Sequence, residues 1–133
     1  MPRSKLSRLT TPASLAAFAT LVLAVIVAVA TLTPLPRVVS VGGSDKFHHI
    51  VAFAAMVLPV SLARPRWLPA AALLLAAYGG AIELMQPFVG RSCELADWIA
   101  DLGGIALGAG MGLIGRRLAF MVLRGRAAMR EAG

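Results

Sequence analysis

The sequence predicts an all-α, polytopic membrane protein, a four-transmembrane-helix bundle with its N- and C-termini on the cytoplasmic side (N-in/C-in). Three observations carry this expectation. The chain is 59% hydrophobic and only 14% charged over its 133 residues, whereas a soluble domain carries about 25% charged residues. Its mean hydropathy is +0.81. Four apolar segments, each near the roughly 20 residues that cross a hydrocarbon core, are separated by short polar stretches. The chain is expected to form one membrane domain over residues 1–133, without internal repeats or low-complexity linkers.

The first span is expected at about residues 15–33, an uncharged run closed by Pro34 and Pro36, because proline removes a helix donor and restricts the residue before it. Arg3, Lys5 and Arg8 precede it, and Ala28-Val29-Ala30 resembles a signal-cleavage site. The run is longer than the roughly 7–15 residues of a signal h-region, which favours a retained span. The second span is expected at about 46–63, with Pro59 in its last turn. The third is expected at about 67–89, opened by Pro69 and closed by Pro87. The fourth is expected at about 95–115, before Arg116 and Arg117, and a basic cytoplasmic tail over 116–133 follows, able to form a short interfacial helix. Short connections make the last three spans antiparallel neighbours.

Charge orients the bundle. With the N-terminus inside, Arg3, Lys5, Arg8, Arg64, Arg66, Arg116, Arg117, Arg124, Arg126 and Arg130 are cytoplasmic, ten of the 13 bases, leaving Arg37, Lys46 and Arg91 outside. Short loops rich in Lys and Arg stay inside. The net charge of +7 therefore reads as topology and anionic lipid, and no nucleic-acid partner is expected. Cys93 is the single cysteine, so an intramolecular disulfide and a Cys-based metal motif are excluded.

The acids run the other way. Asp45, Glu83, Glu94, Asp97 and Asp101 fall at or near the outer side, and only Glu131 falls inside. Counting at about 1.5 Å per residue places His49, Glu83 and Asp101 roughly 5–9 Å below the outer rim, on three different helices. A charge at membrane depth costs at least about 2.5–3.5 kcal/mol on insertion scales, so such groups face inward and find partners. Asp45 and His49, Glu83 and Gln86, and Asp97 and Asp101 are spaced to share helix faces. Lys46 and Arg91 can supply positive charge at the rim. These residues predict an outward-facing polar pocket floored by Glu83 and His49. Its expected ligand-binding residues are Asp45, Lys46, His49, Glu83, Gln86, Arg91, Asp97 and Asp101, with His49, Glu83 and Asp101 as candidates for catalysis. A purely structural pairing network is the competing reading. His48 reads as a rim residue. His49 with Glu83 and Asp101 offers a mixed nitrogen and oxygen donor set, but no HExxH-type spacing supports a metal site, so neither a metal nor another cofactor is expected. On the fourth span Gly104, Gly108 and Gly112 form a small-residue stripe that lets backbones approach closely, and Gly79 and Gly80 are expected to face it.

The motifs Asp45-Lys46-x-x-His49, Tyr78-Gly79-x-x-Ile82-Glu83-x-x-Gln86, Arg91, and Asp97-x-x-x-Asp101-x-x-Gly104, in this order and on these spans, resemble the VanZ-like family over roughly residues 40–115. Two positions depart from the family pattern: Asp101 stands where Asn is usual, and Phe53, the aromatic after His49, lacks a hydroxyl. The resemblance implies a multi-pass protein of the bacterial cytoplasmic membrane and a cell-envelope role. The family's namesake is associated with low-level teicoplanin resistance, which implies contact with lipid or lipid-linked cell-wall components. Two alternatives stand beside it. One is an intramembrane enzyme acting on lipid headgroups or lipid-linked phosphates; Arg91 and Asp97-x-x-x-Asp101 partly resemble membrane-bound lipid phosphatases, but the nucleophilic His those enzymes need is missing from residues 91–115. The other is a small ion-coupled transporter, for which the inner half of the bundle carries no matching ionisable residues.

Overall fold

The computed structural model describes residues 11–33 and 45–131. It contains four long helices: α1 (Pro12–Leu32), α2 (Asp45–Ala63), α3 (Leu68–Met85) and α4 (Leu95–Glu131). All four are long and apolar enough to cross a membrane. The N-terminal residues Arg3, Lys5 and Arg8, and Pro34, Pro36 and Arg37 lie outside the described residues.

Local chemistry sets most of the boundaries. Thr11 caps α1, where its Oγ1 accepts from the Ser14 N–H at 3.2 Å and Pro12 occupies the first turn. That turn needs no donor from its first residues, so proline is compatible there. Pro59 lies inside α2 and leaves the Ala55 carbonyl without its helical donor. In the next position Thr20 Oγ1 donates to the Met56 carbonyl at 2.8 Å, tying α1 to this turn. A 3-10 turn, Pro65–Trp67, leads into α3, and a second one, Gln86–Val89, leads out of it and ends on Gly90 with φ 78°.

The fourth helix is longer than the expected span. It continues without a break through residues 116–131, the region expected as a separate tail. No proline interrupts it, and Ala, Leu, Met and Arg all favour helix. Its 37 residues reach about 55 Å, nearly twice the roughly 30 Å hydrocarbon core. Arg116 Nη1 donates to the Leu62 carbonyl at 2.9 Å, which marks the level where α2 ends and α4 goes on alone.

The helices pack around a small apolar centre of Phe53, Met56, Val57, Leu75 and Ile105. The closest pair is α2 and α4. A Cβ at Gly104 would strike the Ile50 carbonyl, one at Gly108 would lie 2.7 Å from Ala54 Cα, and one at Gly112 would strike Ser61 Oγ. The glycine stripe therefore faces α2, and the expectation that Gly79 and Gly80 face it is corrected. Gly79 lies against Asp101 and Phe53, and Gly80 lies against the Trp98 indole. The reason is register: α3 meets α4 near its start, through Trp98 Nε1 donating to the Ala76 carbonyl at 2.9 Å. Tyr78 Oη donates to the Ala24 carbonyl at 2.5 Å and fastens α3 to α1.

Adding one methyl group tests this packing. Gly108→Ala is expected to destabilise the protein by about 1–3 kcal/mol, the usual cost of overpacking. Gly103→Ala, where nothing lies within 4 Å, is expected to be neutral or slightly stabilising, since alanine favours helix over glycine. Thermal unfolding in detergent micelles measures both.

Candidate functional site

The polar residues are drawn together at the end of the bundle where α2 and α4 begin and α3 ends. His49, Glu83, Gln86, Asp97 and Asp101 are all buried. His49 Nδ1 lies 2.8 Å from Asp101 Oδ1, and His49 Nε2 lies 3.9 Å from Asp97 Oδ2. One imidazole on α2 thus spans two carboxylates on successive turns of α4. This follows from the i,i+4 spacing of Asp97 and Asp101, which puts both on one helix face, and from the glycine stripe that brings that face against α2. Gly79 completes the fit, since a side chain there would collide with the Asp101 carboxylate.

Glu83 enters from α3. Its Oε2 accepts from the Glu94 backbone N–H at 3.0 Å. Gln86, its amide oriented to satisfy its neighbours, donates to the same oxygen at 3.1 Å and to the Ser92 carbonyl at 3.0 Å. Glu83 Oε1 is buried and has no hydrogen-bond partner, whereas buried Asp97 Oδ1 is paired with an ammonium. The nearest positive group to Asp97 Oδ1 is Lys46 Nζ at 3.4 Å, which also lies 3.5 Å from Glu94 Oε2. Lys46 and Glu94 are about half exposed and form the rim together with the exposed side chains of Phe47, Phe88 and Leu95.

The expected pocket residues therefore divide. Lys46, His49, Glu83, Gln86, Asp97 and Asp101 form one connected cluster. Arg91 Nη1 donates to the Thr31 carbonyl of α1 at 3.2 Å. The backbone of Asp45 begins α2, but its side chain lies outside the described residues. His48 is exposed, against the edge of Phe47. Glu94 was not expected as a site residue, yet its N–H holds Glu83 and its carboxylate pairs with Lys46. Its position immediately before α4 was the signal, because a helix start leaves backbone N–H groups without intrahelical partners.

Among the described residues, the cluster holds four carboxylates (Glu83, Glu94, Asp97 and Asp101) against Lys46 and His49. It has the chemistry to orient an imidazole, to hold protons or to bind a cation. A largely apolar groove of about 700 Å³, lined in part by Leu62, Pro65, Leu113, Arg116 and Phe120, lies at the opposite end of the bundle, remote from these groups.

A four-span helical membrane protein with a buried His–Asp–Glu cluster at one end of the bundle is the class that the fold and site define. Residues 6–116 match the family model described as VanZ/LLP1. The chain belongs to the VanZ/LLP1 family. Comparison with curated proteins gave no match, and comparison with solved structures gave none.

Substitutions at Asp101 separate shape from polarity. Asp101→Asn keeps an acceptor for a His49 Nδ1–H donor, whereas Asp101→Leu leaves buried His49 without it. The leucine variant is expected to lose about 1–3 kcal/mol, the cost of an unsatisfied buried polar group, and the asparagine variant less. Thermal unfolding in detergent reads the difference.

Proposed function

We propose that this protein works at the outer face of the bacterial cytoplasmic membrane, where its polar cluster engages the headgroup of a lipid or lipid-linked cell-wall component and so alters susceptibility to glycopeptides such as teicoplanin. The observation that carries this reading is the position of the cluster. Buried His49, Glu83, Asp97 and Asp101 lie one to two turns below an exposed rim that combines Lys46 and Glu94 with Phe47 and Phe88. A polar centre beneath a mixed charged and aromatic rim matches the depth of lipid headgroups. Family membership supports the envelope context. The apolar layer of Phe53, Met56, Val57, Leu75 and Ile105 below the cluster favours a closed headgroup site over a conducting path. The basic residues at the opposite end, Arg64, Arg66, Arg116 and Arg117, support an orientation with that end in the cytoplasm.

The His49–Asp101 contact supports a second reading, an enzyme acting on lipid headgroups or lipid-linked phosphates. A carboxylate on Nδ1 fixes the tautomer and turns Nε2 into a general base. Lipid profiles of cells carrying His49→Ala test it, and an unchanged profile rules it out.

Two experiments test the main reading. Cys93 is exposed and lies beside the cluster, so a membrane-impermeant maleimide is expected to label it in intact cells; labelling only after permeabilisation would reverse the orientation. Loss of the gene is expected to change teicoplanin susceptibility, and Glu83→Gln at equal membrane abundance is expected not to restore it. Identical susceptibility to teicoplanin and other lipid-II-directed drugs with and without the gene would sink the proposal.

A further inference from the structure

We propose that His49, Glu83 and Asp97 form a binding site for a divalent first-row transition-metal ion, with Asp101 holding the His49 ring in place. This goes beyond a headgroup-binding role and stands without it. Each of the three residues offers a ligand atom, and these atoms lie within 4.8 Å of one another. They come from three helices, α2, α3 and α4, so the site depends on the folded bundle.

Two features separate this arrangement from an ordinary acidic network. The first is an unpartnered oxygen. Glu83 and Asp97 are each only 4% exposed; Glu83 Oε1 is buried without a hydrogen-bond partner, and Asp97 Oδ1 meets the ammonium of half-exposed Lys46 at 3.4 Å. A buried carboxylate oxygen without a donor is costly, and in a site removed from water its compensation must come from a cation or a proton. Glu83 Oε2 is already occupied by the Glu94 N–H and the Gln86 amide, an arrangement that leaves Oε1 as the free ligand atom.

The second feature is the His49–Asp101 pair. A metal-binding histidine almost always places its other ring nitrogen against a carboxylate, a carbonyl or water, which fixes the tautomer and raises ligand basicity. Here Asp101 Oδ1 sits 2.8 Å from Nδ1, and Nε2 is turned to the Asp97 side, 3.9 Å from Oδ2. Asp101 is thus a positioning residue and not a ligand, which revises the His49, Glu83 and Asp101 set considered from sequence.

Donor chemistry narrows the ion. One imidazole and two carboxylates suit Zn²⁺ or Mn²⁺, whereas Ca²⁺ and Mg²⁺ are served by all-oxygen sets. Coordination at about 2.0–2.2 Å requires the ligand atoms to close by roughly 1 Å, within reach of carboxylate side-chain rotation. Lys46 does not obstruct this closure. It is 47% exposed and already shares its ammonium between Asp97 and Glu94, so it can stay with Glu94 while Asp97 turns to the metal.

The test uses the full chain, tag-free, in detergent and on a Cys93→Ser background to remove the exposed thiol. After chelator treatment, the protein is loaded with Zn²⁺ or Mn²⁺, desalted and assayed for bound metal, and its Co²⁺ form is examined by visible absorption. The expected result is about one ion per chain with a Co²⁺ spectrum of nitrogen and oxygen ligation. Binding is expected to weaken at least tenfold in Glu83→Gln and Asp97→Asn, to weaken about 10–100-fold in Asp101→Asn, and to be unchanged in His48→Ala. No stoichiometric metal on the unsubstituted cluster would overturn the proposal whatever the variants do, and so would equal binding by a folded Glu83→Gln protein. Drug susceptibility plays no part in these readouts, so failure here is distinct from failure of the headgroup reading.

Discussion

At Gly108 the backbone of α4 approaches α2 so closely that a single methyl group would lie 2.7 Å from Ala54 Cα. This approach determines where the polar groups can go. Because α4 presses on α2 through Gly104 and Gly108, its face one to two turns earlier, with Asp101 and Asp97, is brought directly to His49. The 2.8 Å contact between His49 and Asp101 is the polar outcome of a steric permission given by glycine. In a bilayer there is little hydrophobic drive between helices, so van der Waals fit and internal hydrogen bonds hold the bundle together.

The third helix completes the arrangement from the other side. Gly79 leaves room for the Asp101 carboxylate and the Phe53 ring, and one turn later Glu83 reaches the start of α4. There the helix opening supplies a backbone N–H to Glu83, which satisfies one oxygen and leaves the other bare. Small residues, a helix start and an i,i+4 pair of aspartates thus cooperate to concentrate acidity where lipid-facing chains normally exclude it. Such concentration is costly at membrane depth, so each buried acid must find a partner within the bundle.

The acid at position 101 also sets the character of His49. An amide could accept a hydrogen bond from the imidazole but would carry no charge. A carboxylate polarises His49 more strongly and makes it the better base or metal ligand. The carboxylate therefore bears on the character of His49 more than on its location.

The sequence by itself determined the helical class, the four spans and the level at which the ionisable groups lie, because hydropathy, proline positions and a 1.5 Å rise are local properties. It also pointed to Lys46, His49, Glu83, Gln86, Asp97 and Asp101 through their spacing on helix faces. Tertiary structure decided which of them meet. It put the glycine stripe against α2 and not α3, gave Asp101 to the imidazole Nδ1, left Asp97 on the Nε2 side, sent Arg91 to the Thr31 carbonyl and drew in Glu94. It also carried α4 on to Glu131 as one helix. These choices depend on the rotation and register of one helix against another, which arise from side-chain fit across an interface and leave no periodic mark along the chain.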